Sequence, residues 1–583
     1  MKHKKILIIA ALSIALGIVA PVYSAPDLIV INADVRTSDP KQNRAEAFAV
    51  KDSKFSAIGS STMINQMVGD NTVVIDAQGK TIVPGFIDSH VHLFPGADGL
   101  NKLDLMQINT FDELKSSILN QISKNPAGSF IFGRGANYKL FSESDLKSRK
   151  QLDQVSTSNP ILLQAPDGHT AWANTKALSD ANVLNGVSLP VGHEVLMSSD
   201  GLAEGMLKEN EAIRLVLTLQ GSNRARVGLD TGEDPHPPAT NQERLNDIEV
   251  LKNGLSHLAK LGVTSIHNMD GNFYTLELLE EIRNKGNLTC RVKVPFHFKT
   301  EMGIEKLELA SKMNERWDDD FLSSGLVKFF MDGVLDSGTA FLIDDYADTP
   351  GHKGDALFDE ELFNALSKDV DRRGLQIAVH SIGDAAVRRV LNAYTYARDK
   401  NGIRDSRHRV EHIELIQEND IPKFKKLGVI ASMQPVHPPG SDGLPLEPTI
   451  SKIGPQRFDL AYAWRSIKDA GGKVTFSTDW PVSNVNPINA ISNALNRKVW
   501  TNGQKDQRLS LIETLKAYTI EGAYAEFKEQ KKGKLKEGYL ADIVILSDRI
   551  DLLDTSELST LIVTHTIVDG KLIFSSNSIS TDA

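Results

Sequence analysis

Short apolar runs alternating with longer amphipathic stretches organise the middle of the chain. Runs at 264–267, 292–298, 327–331, 376–380, 409–413, 429–434 and 473–478 have strand length and β-branched or aromatic content. Between them, 360–373, 384–400 and 419–426 space their apolar residues as helices do. With the apolar run that ends at His90, the pattern gives eight strand–helix units. That rhythm predicts an α/β protein built on a (β/α)8 TIM barrel over residues 84–530, with functional residues at the C-terminal ends of the strands.

Three segments depart from the rhythm. Residues of about 100–250 separate the first barrel strand from the second and carry strands of their own at 130–133 and 161–164. They read as an insertion covering the barrel mouth, with 231–238 (Pro235, Pro237, Pro238) as an exposed loop. The two ends have a different texture. Strands at 28–32, 47–50, 55–58 and 73–76 are matched by 541–546, 562–568 and 571–574, the last two flanking an Asp569-Gly570 hairpin turn. Residues 25–83 and 531–583 are therefore expected to form one small β-sandwich-like domain. The third segment is 1–24: Lys2, Lys4 and Lys5, an apolar run from Ile6 to Ala20, and small residues Val22 and Ser24. It reads as a secretory signal peptide cleaved after Ser24. Its apolar run is shorter than the roughly 20 residues that span a bilayer.

Loss of that leader moves the formal net charge from −10 to −13, which disfavours nucleic acid or an anionic membrane as a partner. The expectation is a secreted or periplasmic protein with no stable membrane insertion after cleavage, and homo-oligomerisation is left open. Cys290 is the single cysteine, so no intramolecular disulfide forms; it reads as a buried structural thiol at the start of a strand.

The chemistry concentrates at strand ends. His90 and His92 are two apart at the end of an apolar run, so on a strand both imidazoles face one side and reach one cation. Alone, this pair says little. Lys328, His380, His412 and Asp479 then follow at or near the ends of later strands. Imidazole and carboxylate donors suit Zn²⁺, with Mn²⁺, Fe²⁺ or Ni²⁺ as competitors.

This order of motifs resembles the amidohydrolase superfamily, in particular its amidohydrolase-3 branch, which includes N-substituted formamide deformylases. The motifs are PGFIDSHVHL (84–93), APDGHTAWANTKAL (165–178), VKFFMDGVLDSGTA (327–340), VHSIGDAA (379–386), RVEHIEL (409–415), MQPVH (433–437), STDWPVS (477–483) and GKLKEGYLADIVIL (533–546). The resemblance implies His90, His92, His380, His412 and Asp479 as metal ligands, with Asp479 also moving the catalytic proton. It places Lys328 where many members carry a carbamylated lysine bridging two metals; a structural or substrate-facing lysine is the alternative, and one or two ions remain open. Asp167 and His169, in the insertion, match the branch's DGH motif and are expected to face substrate, as is His437 at the end of the seventh strand. Trp480 reads as a pocket wall or a core aromatic, and His267 as a packed histidine or a site residue. Asp332 and Asp336 read as ligand-orienting or loop-capping carboxylates.

The resulting expectation is a metal-dependent hydrolase cleaving a non-peptide C–N bond of a small molecule. The alternatives are a lactonase or esterase on the same site and a catalytically inactive binding or regulatory protein.

Overall fold

The computed structural model describes residues 25–100, 102–142, 148–165, 170–189, 194–220 and 224–576; the predicted leader, 1–24, and both Asp167 and His169 lie outside them. Two arcs of parallel strands form the centre. In the first, Phe86–Val91, Val263–Asn268, Arg291–Lys293 and Leu322–Ser323 are neighbours in that order. In the second, the order is Phe296–His297, Leu326–Phe330, Gln376–Ser381, Arg409–His412, Ile430–Met433 and Lys473–Phe476. A parallel bridge between Val91 and Trp480 links the first strand to the segment after the last.

The expected strands recur with shifts of one or two residues at most ends, and two differences have clear causes. The run at 292–298 divides into Arg291–Lys293 and Phe296–His297 because Pro295, between them, has no N–H to donate to a ladder. The run at 409–413 stops at His412, where φ turns positive (72° at His412, 52° at Ile413). Strands buried along most of their length, such as Leu326–Phe330 (LVKFF) and Gln376–Ser381 (QIAVHS), carry the apolar runs expected of a parallel sheet covered on both faces, whereas the equally buried Val263–Asn268 (VTSIHN) is largely polar. The covering helices follow ordinary rules. In Glu360–Arg372, the Asp359 side chain accepts from the Leu362 N–H, Glu360 and Glu361 occupy the first turn, and Phe363, Leu366, Ser367, Val370 and Asp371 form the buried stripe.

A sheet joins the two ends of the chain, in the order Lys571–Ser575, Val563–Val568, Ile543–Leu546, Thr81–Pro84, Asp34–Arg36 and Arg44–Ala45. Beside it lies the four-stranded sheet Lys54–Gly59, Ala47–Lys51, Leu28–Ile31 and Val73–Asp76. Val30, Phe48, Ile82, Ile543 and Ile567 share one buried cluster there. Asp569 and Gly570 both have positive φ (55° and 73°), as the two-residue hairpin requires. Arg291 ties this region to the first arc: its guanidinium donates to both Asp542 carboxylate oxygens (2.8 and 3.0 Å) and to Asp569 (3.0 Å).

Residues between the first and second parallel strands build a separate six-stranded sheet, in the order Glu194–Met197, Ala203–Lys208, Thr170–Ala173, Ile161–Gln164, Ile131–Arg134 and Leu103–Asp104. The helix Asn241–Lys260, which begins inside the span read as insertion, instead packs Ile248, Leu251, Leu255 and Leu258 into the main core. No helix among the described residues is long and apolar enough to cross a membrane. Cys290 is buried just before Arg291–Lys293, and burial pushes its thiol pKa up, as an unreactive structural thiol requires.

The turn into the first strand is tight. A Cβ on Gly85 would lie 2.1 Å from Thr264 Oγ1 and 2.7 Å from Thr264 Cβ, inside any real contact distance. Gly85→Ala is expected to destabilise the protein by about 1–3 kcal/mol, the usual cost of overpacking. Chemical denaturation checks this, and an unchanged midpoint would show that the neighbouring strand yields freely.

Candidate metal centre

Phe86–Val91 carries His90 at its end, and His92 follows immediately. Each imidazole is fixed on its Nδ1 side by a carboxylate: Glu411 Oε2 at 2.7 Å for His90 and Asp270 Oδ2 at 2.7 Å for His92. A carboxylate that only accepts requires Nδ1 to carry a proton, so in the neutral form of either ring Nε2 is the lone-pair donor. Both Nε2 atoms lie 3.4 Å from the same oxygen, Asp479 Oδ1.

Asp479 sits beyond Lys473–Phe476 with φ of 59° and donates its N–H to the His90 carbonyl at 2.9 Å. Its other oxygen, Oδ2, lies 3.9 Å from His412 Nδ1 and 3.9 Å from His437 Nε2. Strand alternation places Arg409 and Glu411 inward, which would send His412 outward; the left-handed backbone at His412 and Ile413 brings it back to the centre. The His412 ring then lies 4.7 Å from that of His90 and 4.5 Å from that of His380.

Lys328 and His380 are placed beside this cluster rather than within it. Lys328 is fully buried, its Nζ 4.7 Å from the centre of the Phe330 ring and without a hydrogen-bond partner among the described residues. His380 Nε2 is 3.0 Å from the Gly333 carbonyl oxygen. Among the described residues, two sets of donors are close enough to hold a cation, each with its ligand atoms within 4.8 Å of one another: His90, His92, Asp479 and His412, His437, Asp479. Among the described residues, His90 Nε2, His437 Nε2 and Asp479 Oδ1 are buried without hydrogen-bond partners. Orphaned polar atoms of this kind are costly in an interior, and a cation held by His90, His92 and Asp479 would satisfy His90 Nε2 and Asp479 Oδ1 together. The mixed imidazole and carboxylate set fits a divalent transition metal.

The electrostatics agree. Burial, with Lys328 adding to it, pushes the His90 pKa down to about 4 and the His380 pKa to about 3. Burial and the neighbouring His380 hold His412 well below its ordinary value. These rings are neutral ligands. At His92 burial opposes the charge, but Asp270 and Asp479 outweigh it and raise the pKa to about 9. Burial resists ionisation of Asp479, yet His90, His92 and His412 hold its carboxyl well below the usual range. Burial lowers Lys328 to about 8 against the pull of Glu411 and Asp479.

The remaining candidates sort by their contacts. His437 reaches the cluster, with Nδ1 3.8 Å from Glu414. Trp480 is buried against His257 (rings 5.7 Å apart) and fills the space a side chain at Gly96 would need, so its contacts are those of a core aromatic. His267 is packed and hydrogen-bonded to Arg409. Asp332 caps a loop, accepting the N–H groups of Phe341, Ile382 and Gly383; Asp336 accepts from the Thr449 hydroxyl. Asp167 and His169 are outside the described residues. Sequence reasoning passed over Glu411, Asp270 and Arg409. Alternation with His412 facing the centre would turn Glu411 away, because the left-handed backbone that brings both inward has no periodic signal, and Asp270 follows the end of Val263–Asn268 with no periodic signal either.

The chain is 29% identical over 529 residues to the Arabidopsis thaliana protein LONG AFTER FAR-RED 3, covering 89% of this chain and 87% of that one. It is 25% identical over 564 residues to N-substituted formamide deformylase of Arthrobacter pascens, covering 94% and 98%. The crystal structure of an uncharacterized metal-dependent hydrolase from Pyrococcus horikoshii has the same fold, with a TM-score of 0.71 at 23% identity over 91% of this chain and 99% of that one. The amidohydrolase family model matches residues 73–574, a span that holds every strand and loop carrying a residue of the centre. The chain therefore belongs to the amidohydrolase family, in its amidohydrolase-3 branch.

Proposed function

We propose that this protein hydrolyses a non-peptide C–N bond of a small molecule at a zinc centre held by His90, His92, His380, His412 and Asp479, with Lys328, carbamylated, as a further ligand in a two-ion form. The observation that carries the reading is Asp479, an ionised buried carboxylate with imidazoles facing both of its oxygens. The parallel strands, bridged between Val91 and Trp480, support a (β/α)8 barrel as its frame. The sheet shared by both ends supports a composite β-domain of 25–83 and 531–583. The C–N assignment rests on the likeness to the formamide deformylase.

When bound, the cation acidifies water and polarises the scissile carbonyl. The protein supplies the rest. Asp479 accepts the proton of the attacking water, and the same carboxyl returns it to the departing nitrogen. Asp270 and Glu411 keep the Nε2 lone pairs of His92 and His90 aimed at Asp479. Lys328, buried beside Phe330, would supply the carbamylated ligand of a two-ion form.

His437, on the free side of Asp479, takes the substrate. His437→Ala is expected to raise KM about tenfold, the scale of one lost hydrogen bond, with bound metal unchanged. Steady-state kinetics with metal analysis checks it; loss of metal would make His437 a ligand instead. The reading as a whole is tested by a panel of N-substituted formamides, other amides, carbamates, lactones and esters offered to zinc-loaded protein. Turnover of amides supports it, and turnover confined to lactones or esters overturns the C–N assignment.

A further inference from the structure

Arg409 is fully buried, and its guanidinium meets its own strand and three others at once. Nε donates to Glu411 Oε1 at 2.7 Å and Nη2 to Glu411 Oε2 at 3.0 Å. Nη2 also donates to the Ser89 carbonyl at 2.6 Å and to Ser432 Oγ at 3.0 Å. Nη1 lies 2.8 Å from His267 Nδ1. Because the guanidinium only donates, His267 Nδ1 must be the unprotonated nitrogen. Its Nε2–H then faces Glu526 Oε1 at 3.4 Å, and Glu526 is paired with Lys532 at 2.7 Å. The carboxylate that Arg409 grips is the one that holds His90 Nδ1, and Ser89 is the residue before His90.

We propose that Arg409 and Glu411 act as a positioning clamp for the metal centre, setting the tautomer and the aim of His90 without touching a cation. A purely structural role explains this arrangement poorly. A buried ion pair returns little net stability, and apolar residues of the same volume do as well or better. What the pair supplies is direction. The planar fork fixes both Glu411 oxygens, Glu411 fixes Nδ1–H of His90, and the Ser89 contact fixes the backbone beside it. Lysine, with one ammonium, has no such fork.

The inference rests on the metal reading above, and its test separates the two. Zinc affinity is measured by chelator competition on metal-free wild type, Arg409→Lys, Glu411→Gln and Arg291→Lys. Arg291 is an equally buried arginine whose carboxylate partners, Asp542 and Asp569, lie away from the centre. Arg409→Lys and Glu411→Gln are expected to bind zinc about 10–100-fold more weakly, the usual loss when a ligand's outer partner is removed. Arg291→Lys is expected to lower the melting temperature while binding zinc within about twofold of wild type. The electronic spectrum of the cobalt-substituted protein should shift in the two clamp variants and not in the control. If both clamp variants fail to fold, Ser432→Ala removes a single contact of the hub and is expected to weaken zinc binding to a lesser degree. Wild-type zinc affinity in folded clamp variants, in Ser432→Ala where those do not fold, or an equal loss in Arg291→Lys, overturns the clamp alone. A wild-type protein that binds no zinc overturns the metal reading and the clamp with it.

Discussion

Asp479→Asn is expected to lower turnover about 10²–10⁴-fold, the contribution typical of general acid–base catalysis, in a protein that stays folded and metal-bound. Asparagine is the informative replacement for three reasons. It matches aspartate in shape and can still present an oxygen to His90 and His92, each 3.4 Å from Asp479 Oδ1. It tolerates the left-handed backbone at this position, where φ is 59°, better than alanine would. It has no proton affinity in the useful range, so it removes the base alone. His90, His92 and the other imidazoles remain to hold the cation. The check is kcat on variant protein whose metal content has been measured. Wild-type kcat would remove Asp479 from the reaction, and loss of all metal would make it chiefly a ligand.

Metal removal is the second large effect, and it reaches stability as well as activity. His90, His412 and His380 are buried as neutral rings beside a buried ionised carboxylate, an arrangement that apolar packing does not stabilise. A cation that binds only the folded chain adds about 2.7 kcal/mol of stability at a free concentration of 100 times Kd. Stripping with a chelator is therefore expected to lower the denaturation midpoint accordingly and to abolish hydrolysis, and zinc is expected to restore both. Denaturation curves with and without chelator read the first effect and assays on the same samples the second. An unchanged midpoint would mean that the imidazole cluster is self-sufficient.

Much of this architecture is legible in the sequence because burial on both faces writes parallel strands as apolar runs. Leu326–Phe330, Gln376–Ser381 and Ile430–Met433 stand out for that reason. The centre is legible for a related reason: strand ends deliver His90, His380, His412 and Asp479 to one end of the arcs, and the order of their motifs is that of the family. Other features depend on backbone conformation that no periodicity carries. The positive φ at His412 and Ile413 lets Glu411 and His412 both reach the interior from adjacent positions. Asp270 reaches His92 from an irregular segment, and Arg409 reads in the text as one more charged residue at the start of a strand. Sequence identifies the ligand types, whereas the partners that aim them emerge only from folding.

The central claim is that a cation at this cluster drives C–N cleavage. The most direct test follows amine release from an N-substituted formamide or amide that the panel shows to be a substrate, as zinc is titrated into stripped protein. The expected result is no release without metal, then a rise that breaks at one or two equivalents of zinc per chain. Equal release by stripped and loaded protein, or stoichiometric zinc with no amine released from any amide, would contradict the account.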